Sequence, residues 1–139
     1  MTDPHTTVTR QQLHDLVHAF YADVRADAAL GPIFDAAIGE HWTHHLERMV
    51  DFWCHVMLDT RGFSGNVFGK HMALKGVEPA HFEHWMTHWQ HHTRHFAPDD
   101  RQRLRQAAQT IGRSLFLGFF NRSAAFIAGD DGRVVVATS

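Results

Sequence analysis

The stretch Leu13-His14-Asp15-Leu16-Val17-His18-Ala19-Phe20-Tyr21-Ala22-Asp23-Val24 decides the reading of the chain. Leu13, Leu16, Val17, Phe20, Tyr21 and Val24 recur at the i, i+3, i+4, i+7 spacing of one helical face. Thr9, with Gln12 three residues on, supplies a capping box in front of that helix. The helix is expected to end near Asp27, and Gly31-Pro32 to break the chain ahead of Ile33 and Phe34.

The same periodicity continues downstream. A second helix is expected from about Glu40 to Leu58, with Trp42, Leu46, Met49, Phe52 or Trp53, and Val56 on its apolar stripe. A stretch punctuated by Gly62, Gly65 and Gly69 reads as an irregular loop of about a dozen residues, near the upper end for such a connection. His71 and Leu74 follow it. Pro79 opens a third helix whose core face is Phe82, Trp85, Met86, Trp89, Thr93 and Phe96. Pro98-Asp99-Asp100 ends it and caps a fourth helix carrying Leu104, Ala107, Ala108, Ile111, Leu115 and Phe119. From Asn121 onward the pattern changes. Two short apolar runs flank Asp130-Asp131-Gly132, which is compatible with a hairpin or with a flexible tail. The fold class is therefore all-α, with a short C-terminal extension.

Composition limits the function classes. The 139 residues suit one domain, and 44% hydrophobic with 20% charged residues is ordinary for a globular chain. Lys and Arg are scattered, without the basic stripe that nucleic acid requires. Cys54 is the only cysteine, so a cysteine-rich metal or iron–sulfur site and thioether-attached haem are excluded. No stretch approaches the ~18 apolar residues of a membrane span, and residues 1–12 lack an apolar leader core. A cytoplasmic protein that meets neither membrane nor nucleic acid is the expectation. The 14 histidines are the unusual feature: their protonation would reverse the sign of the net charge, which is −2 with histidine neutral.

Four side chains invite chemistry. His71, next to a glycine-rich segment and ahead of an aromatic-rich helix, is suited to ligate iron, although spacing alone favours a surface histidine beside Lys70. Tyr21 is the only tyrosine, against 11 Phe, and sits on a buried stripe where its hydroxyl needs a partner. His45 is a polar residue on an apolar stripe, the kind of inconsistency that marks a site. Trp85 adds an indole N–H that donates and cannot accept. Each could also be plain packing. His81, His84, His88, His91 or His92, and His95 form a separate stripe at i+3 or i+4 spacing, readable as a metal chelator or as a solvated face. The zinc-protease motif and the phosphate-binding glycine loop are not present, and residue order alone argues for no Ser-His-Asp or Cys-His arrangement.

An ordered set of segments resembles the third group of the truncated haemoglobins. It comprises Phe20-Tyr21 with Val24-Arg25 and Asp27, Leu30-Gly31-Pro32-Ile33-Phe34, Trp42 with His45, Asp51-Phe52-Trp53, Gly69-Lys70-His71 with Leu74, and Phe82 with Trp85. It spans about Leu13 to Leu117. The resemblance implies a shortened globin fold over residues 1–120, two helix pairs enclosing a b-type haem, with 121–139 as a tail. It makes His71 the proximal iron ligand and Tyr21, His45, Trp85 and Phe20 the distal residues. Phe34, Met49, Phe52 and Trp53 would line the haem, with Lys70, Lys75 and Arg48 as candidates for the propionates. Asn66-Val67 stands where the family commonly has a proline, and the tail has no counterpart. The implied ligands are O2, NO, CO, cyanide or peroxide, with a separate reductase if the chain turns over. The alternative is a six-coordinate haem capped by His45, serving electron transfer or sensing.

Overall fold

Thr9 accepts the Gln12 N–H at 3.2 Å while its own N–H donates to Gln12 Oε1 at 2.8 Å, and this reciprocal cap starts the first helix, α1 (Arg10–Ala26). The computed structural model describes residues 8–60 and 67–138. The apolar face of α1 is the most deeply buried surface of the chain: Leu13, Val17, Phe20 and Val24 are fully covered.

Gly31-Pro32 does not break the chain. The break falls at residues 27–29, and α2 (Leu30–Ile38) begins directly after it. Asp27 ties the joint together: Oδ1 accepts the N–H groups of Ala29 and Leu30 at 2.8 and 3.1 Å, and its carbonyl accepts Gly31 N–H at 2.8 Å. Pro32 lies in the first turn, where a backbone N–H has no intrahelical acceptor, so its missing donor costs nothing. Gly31 is required by contact: a Cβ there would stand 2.6 Å from the Arg25 carbonyl oxygen.

Helix α3 (Trp42–Leu58) follows. The predicted glycine loop lies largely at residues 61–66, outside those described, as does the Asn66 departure. Gly69 and His71 are not in a loop, because residues 67–72 form a short helix, α4 (Val67–Met72). Helix α5 (Pro79–His92) opens with Pro79 in its first turn and ends earlier than the apolar spacing predicts. Thr93 Oγ1 donates to Trp89 O at 2.8 Å, and Arg105 of the next helix donates to Thr93 Oγ1 and Gln90 O at 2.9 and 2.8 Å. The last carbonyls of α5 are thus satisfied from outside, and Phe96 falls in the turn beyond.

Helix α6 (Pro98–Phe120) completes the bundle. Helix α1 packs on α3 and α5 on α6, and the two pairs meet through α1–α5 and α3–α6 contacts, a two-over-two globin arrangement. The interior between the pairs is aromatic. Trp53 and Trp89 stack at 4.4 Å, and Phe20 meets Trp85 and Trp89 edge-on at 4.9 and 5.1 Å. Trp89 Nε1 is satisfied by Leu104 O at 3.1 Å. Residues 124–138 form an antiparallel hairpin, β1 (Ala124–Ala128) and β2 (Val134–Thr138), which packs on α5 and α6. Phe126 enters the core beside Gly112, where any Cβ would run into Met86 and Phe126. Among the described residues no helix is long and apolar enough to cross a membrane.

Candidate functional site

Helix α1 presents two consecutive rings to different neighbours. Tyr21 faces α2 and α3: its ring lies 6.1 Å from Phe34, 5.9 Å from Trp42 and 5.2 Å from His45. Phe20 faces α5, against Trp85 and Trp89. Tyr21 and Phe20 touch each other at 5.0 Å, so these two clusters form one continuous aromatic wall.

The start of α3 is pinned in place. Trp42 Nε1 donates to Asp35 Oδ1 of α2 at 2.9 Å, and the Arg25 guanidinium lies 4.5 Å above the Trp42 ring. One turn later His45 projects against Tyr21 at an interplanar angle of 86°. Sequence reading assigned Trp42 to the core and passed over Arg25 and Asp35, because only the fold brings α1, α2 and α3 to one corner.

One buried polar atom of this corner lacks a partner among the described residues. His45 Nε2 is buried with no hydrogen bond. Burial, then the charges of His71, His44 and Lys70, lower the His45 pKa to about 4, so the ring is neutral at pH 7. Helix α4, which carries Lys70 and His71, packs on α6. Tyr21 is 6% exposed, and burial holds its phenol protonated well above the ordinary value. Neither the Tyr21 hydroxyl nor Trp85 Nε1 makes a hydrogen bond among the described residues, although Trp85 is only half-buried.

The other predicted residues take distinct positions. His71 is half-buried and Lys70 exposed on α4. Phe34, Met49 and Phe52 are half-buried and pack against the core from α2 and α3. Trp53 is buried within the inter-pair stack on Trp89, one layer behind Phe20. Lys75 is exposed, and Arg48 is half-buried on α3.

The histidine stripe of α5 is a separate feature, and it has partners the sequence did not reveal. His84 Nδ1 and His88 Nε2 both reach Asp27 Oδ2, at 3.0 and 2.8 Å, and His92 Nε2 reaches Asp23 Oδ2 at 2.6 Å. His81 instead accepts the Glu78 N–H at the helix start. Asp27 and Asp23 lie four apart on α1, so the stripe is a polar seam between α1 and α5. The burial cost of the Asp27 carboxylate is outweighed by the two histidines and the Leu30 and Ala29 N–H groups, and its pKa falls well below the usual range. Among the described residues no three His, Cys, Asp or Glu side chains are arranged to hold a metal ion.

Comparisons with known proteins point one way. No protein-family model matches the chain. The chain is 34% identical over 83 residues to the group 3 truncated hemoglobin ctb of Campylobacter jejuni, a match that spans 58% of this chain and 65% of that protein's length. The crystal structure of a group III truncated hemoglobin from Campylobacter jejuni superposes with a TM-score of 0.77 at 27% identity, over 86% of this chain and 96% of that one. A two-over-two helical fold, an ordered set of family segments and relatives of one kind in both comparisons agree: the chain is similar in sequence and in fold to the group III truncated haemoglobins.

Proposed function

We propose that the chain holds a haem b through His71 and takes up O2, or another diatomic ligand, in the space bordered by Tyr21, His45 and Trp85. The observation that carries this reading is the buried His45 Nε2, which lies against the Tyr21 ring and has no hydrogen-bond partner among the described residues. An unpartnered buried polar group costs about 1–3 kcal/mol, and natural interiors keep few of them. A ligand arriving beside His45 would give Nε2 a partner.

The donor set fits the group. His71 offers an imidazole from a short helix, and Phe34, Met49 and Phe52 offer half-buried apolar surface for a flat macrocycle. Lys70, exposed beside His71, is suited to a propionate. When bound, haem supplies an iron coordination position at which diatomic ligands exchange.

The protein's own part follows from its electrostatics. Tyr21, held protonated by burial, donates toward any ligand carrying partial negative charge, an interaction worth about 1.5–3 kcal/mol. His45 is neutral at pH 7, so Nε2 donates or accepts according to tautomer, and Trp85 can only donate. Phe20 and Trp42, both buried, close the corner to water. NO dioxygenation or peroxide chemistry would add a reductase as electron donor; CO and cyanide would serve as probe ligands. Stopped-flow O2 dissociation from wild type and Tyr21→Phe tests this: faster release supports the hydroxyl's role, and equal rates remove it.

A second reading rests on the same unpartnered Nε2. A neutral, buried imidazole is also suited to be a sixth iron ligand, which would make the chain an electron-transfer or sensing module. A low-spin ferric spectrum converted to high spin by His45→Leu would select this reading; a high-spin wild type would reject it.

A further inference from the structure

The hairpin has two edges, and the molecule treats them differently. Gly129 N–H donates to Arg133 O at 2.8 Å, continuing the pairing in which Ile127 faces Val135 and Ala125 faces Ala137. Those pairs make the ladder bonds, so Val134 and Val136 on β2, and Ala124, Phe126 and Ala128 on β1, turn their backbone groups away from the partner strand. On β2 these outward groups are taken: Val134 N–H by Thr87 Oγ1 at 2.9 Å and Val136 N–H by Glu83 Oε2 at 2.7 Å. Helix α5 closes that edge. On β1 no hydrogen bond among the described residues satisfies the outward groups.

The open edge lacks the usual protection. β1 contains no charge and no proline, the devices that discourage strand addition. Its outer face carries Ile127, 52% exposed, beside Val135, 50% exposed. Its flanks carry opposite charges, Arg122 before and Asp130 after, and neither has an ion-pair partner among the described residues.

We propose that two copies of the chain associate about a twofold axis through antiparallel pairing of their β1 edges, making one four-stranded sheet. An axis at Phe126 sets Phe126 against Phe126 and Ala124 against Ala128, so every outward N–H and C=O of β1 finds a counterpart. Arg122 and Asp130, in the bend and the turn two residues beyond the strand ends, then lie at the same ends of the pairing in opposite copies. Charge complementarity therefore selects this register and selects a second copy over a foreign strand. The pairing also sets Ala125 of one copy beside the half-exposed Ile127 of the other.

Sedimentation velocity of the haem-loaded chain at ~0.1–1 mM tests this directly. The wild type is expected to sediment as a species of twice 15.9 kDa. Ala128→Pro removes an outward N–H without touching the β1–β2 ladder, and is expected to yield monomer with unchanged helical circular dichroism. Arg122→Asp or Asp130→Arg alone should weaken the dimer about fivefold, since each change alters both symmetric contacts, and the two together should restore it. If Ala128→Pro fails to fold, the charge swap alone decides. A monomeric wild type rejects self-pairing and leaves the edge to water or to a foreign strand. A dimer unmoved by all the variants lies on another face and equally rejects it.

Discussion

Helix α1 borders two polar regions of opposite character, one against α5 and one against α2 and α3. At the Asp23–Asp27 seam each carboxylate is engaged: Asp27 serves His84, His88 and two backbone N–H groups, and Asp23 serves His92. At the Tyr21–His45 corner, two residues away along α1, the buried His45 Nε2 has no partner among the described residues, and the Tyr21 hydroxyl makes no hydrogen bond there. The first region is what a fold needs in order to hold two helices together. The second is destabilising in the absence of a ligand, and that asymmetry separates a structural cluster from a binding site although both are rich in histidine. The residue type does not distinguish them; the state of its hydrogen bonds does.

The comparison breaks if variants in the two regions have similar effects. The largest contrast is expected from Tyr21→Phe. Removing an unpartnered hydroxyl should leave the apoprotein as stable as wild type or more so by about 1 kcal/mol, while O2 dissociation quickens roughly 10- to 100-fold. Denaturant melts and stopped-flow traces on one preparation read both numbers. Asp27→Ala should do the reverse. It removes the cap of α2 and the shared acceptor of two histidines, costing about 2 kcal/mol in a urea melt with dissociation nearly unchanged. Because the Asp27 pKa is depressed in the fold, its stabilisation is complete above the ordinary carboxylate value of ~3.9 and declines as pH falls below it. The variant should therefore flatten the acid limb of the stability curve.

His45 supplies a subtler contrast. Its pKa in the fold, about 4, lies below the ~6.5 of an unfolded histidine, so between those values the unfolded chain binds a proton that the folded one does not. Its contribution makes the apoprotein less stable as pH falls through that window. His45→Leu should remove up to one proton from the pH dependence of unfolding there, measured as melting temperature against pH. Asp23→Asn should have the smallest effect, below about 1 kcal/mol, because the Asp23 side chain is half exposed and water competes for it.

Much of this was legible in the residues. The capping box at Thr9 and the apolar stripes are local patterns, and local patterns survive folding. His45 stood out as a polar residue on an apolar stripe, and it is the one whose Nε2 is left unpartnered. Other features were not legible. Pro32 reads as a breaker until it is known to lie in a first turn. The early end of α5 depends on Arg105, twelve residues beyond Thr93. The histidine stripe was visible as a period, but its partners lie 57 to 69 residues away on α1, and no spacing along the chain announces which helix will face it. The closed edge of the hairpin rests likewise on Thr87 and Glu83, which lie 47 and 53 residues from the strand positions they bond.

The measurement that tests the central claim most directly is the ferric and dithionite-reduced absorption spectrum of the haem-supplied chain, wild type beside His71→Ala. The account predicts an intense Soret band in the wild type and its loss or severe weakening in the variant, with helical circular dichroism retained. A wild type that stays colourless with haem present, or a variant with an unaltered spectrum, would contradict it.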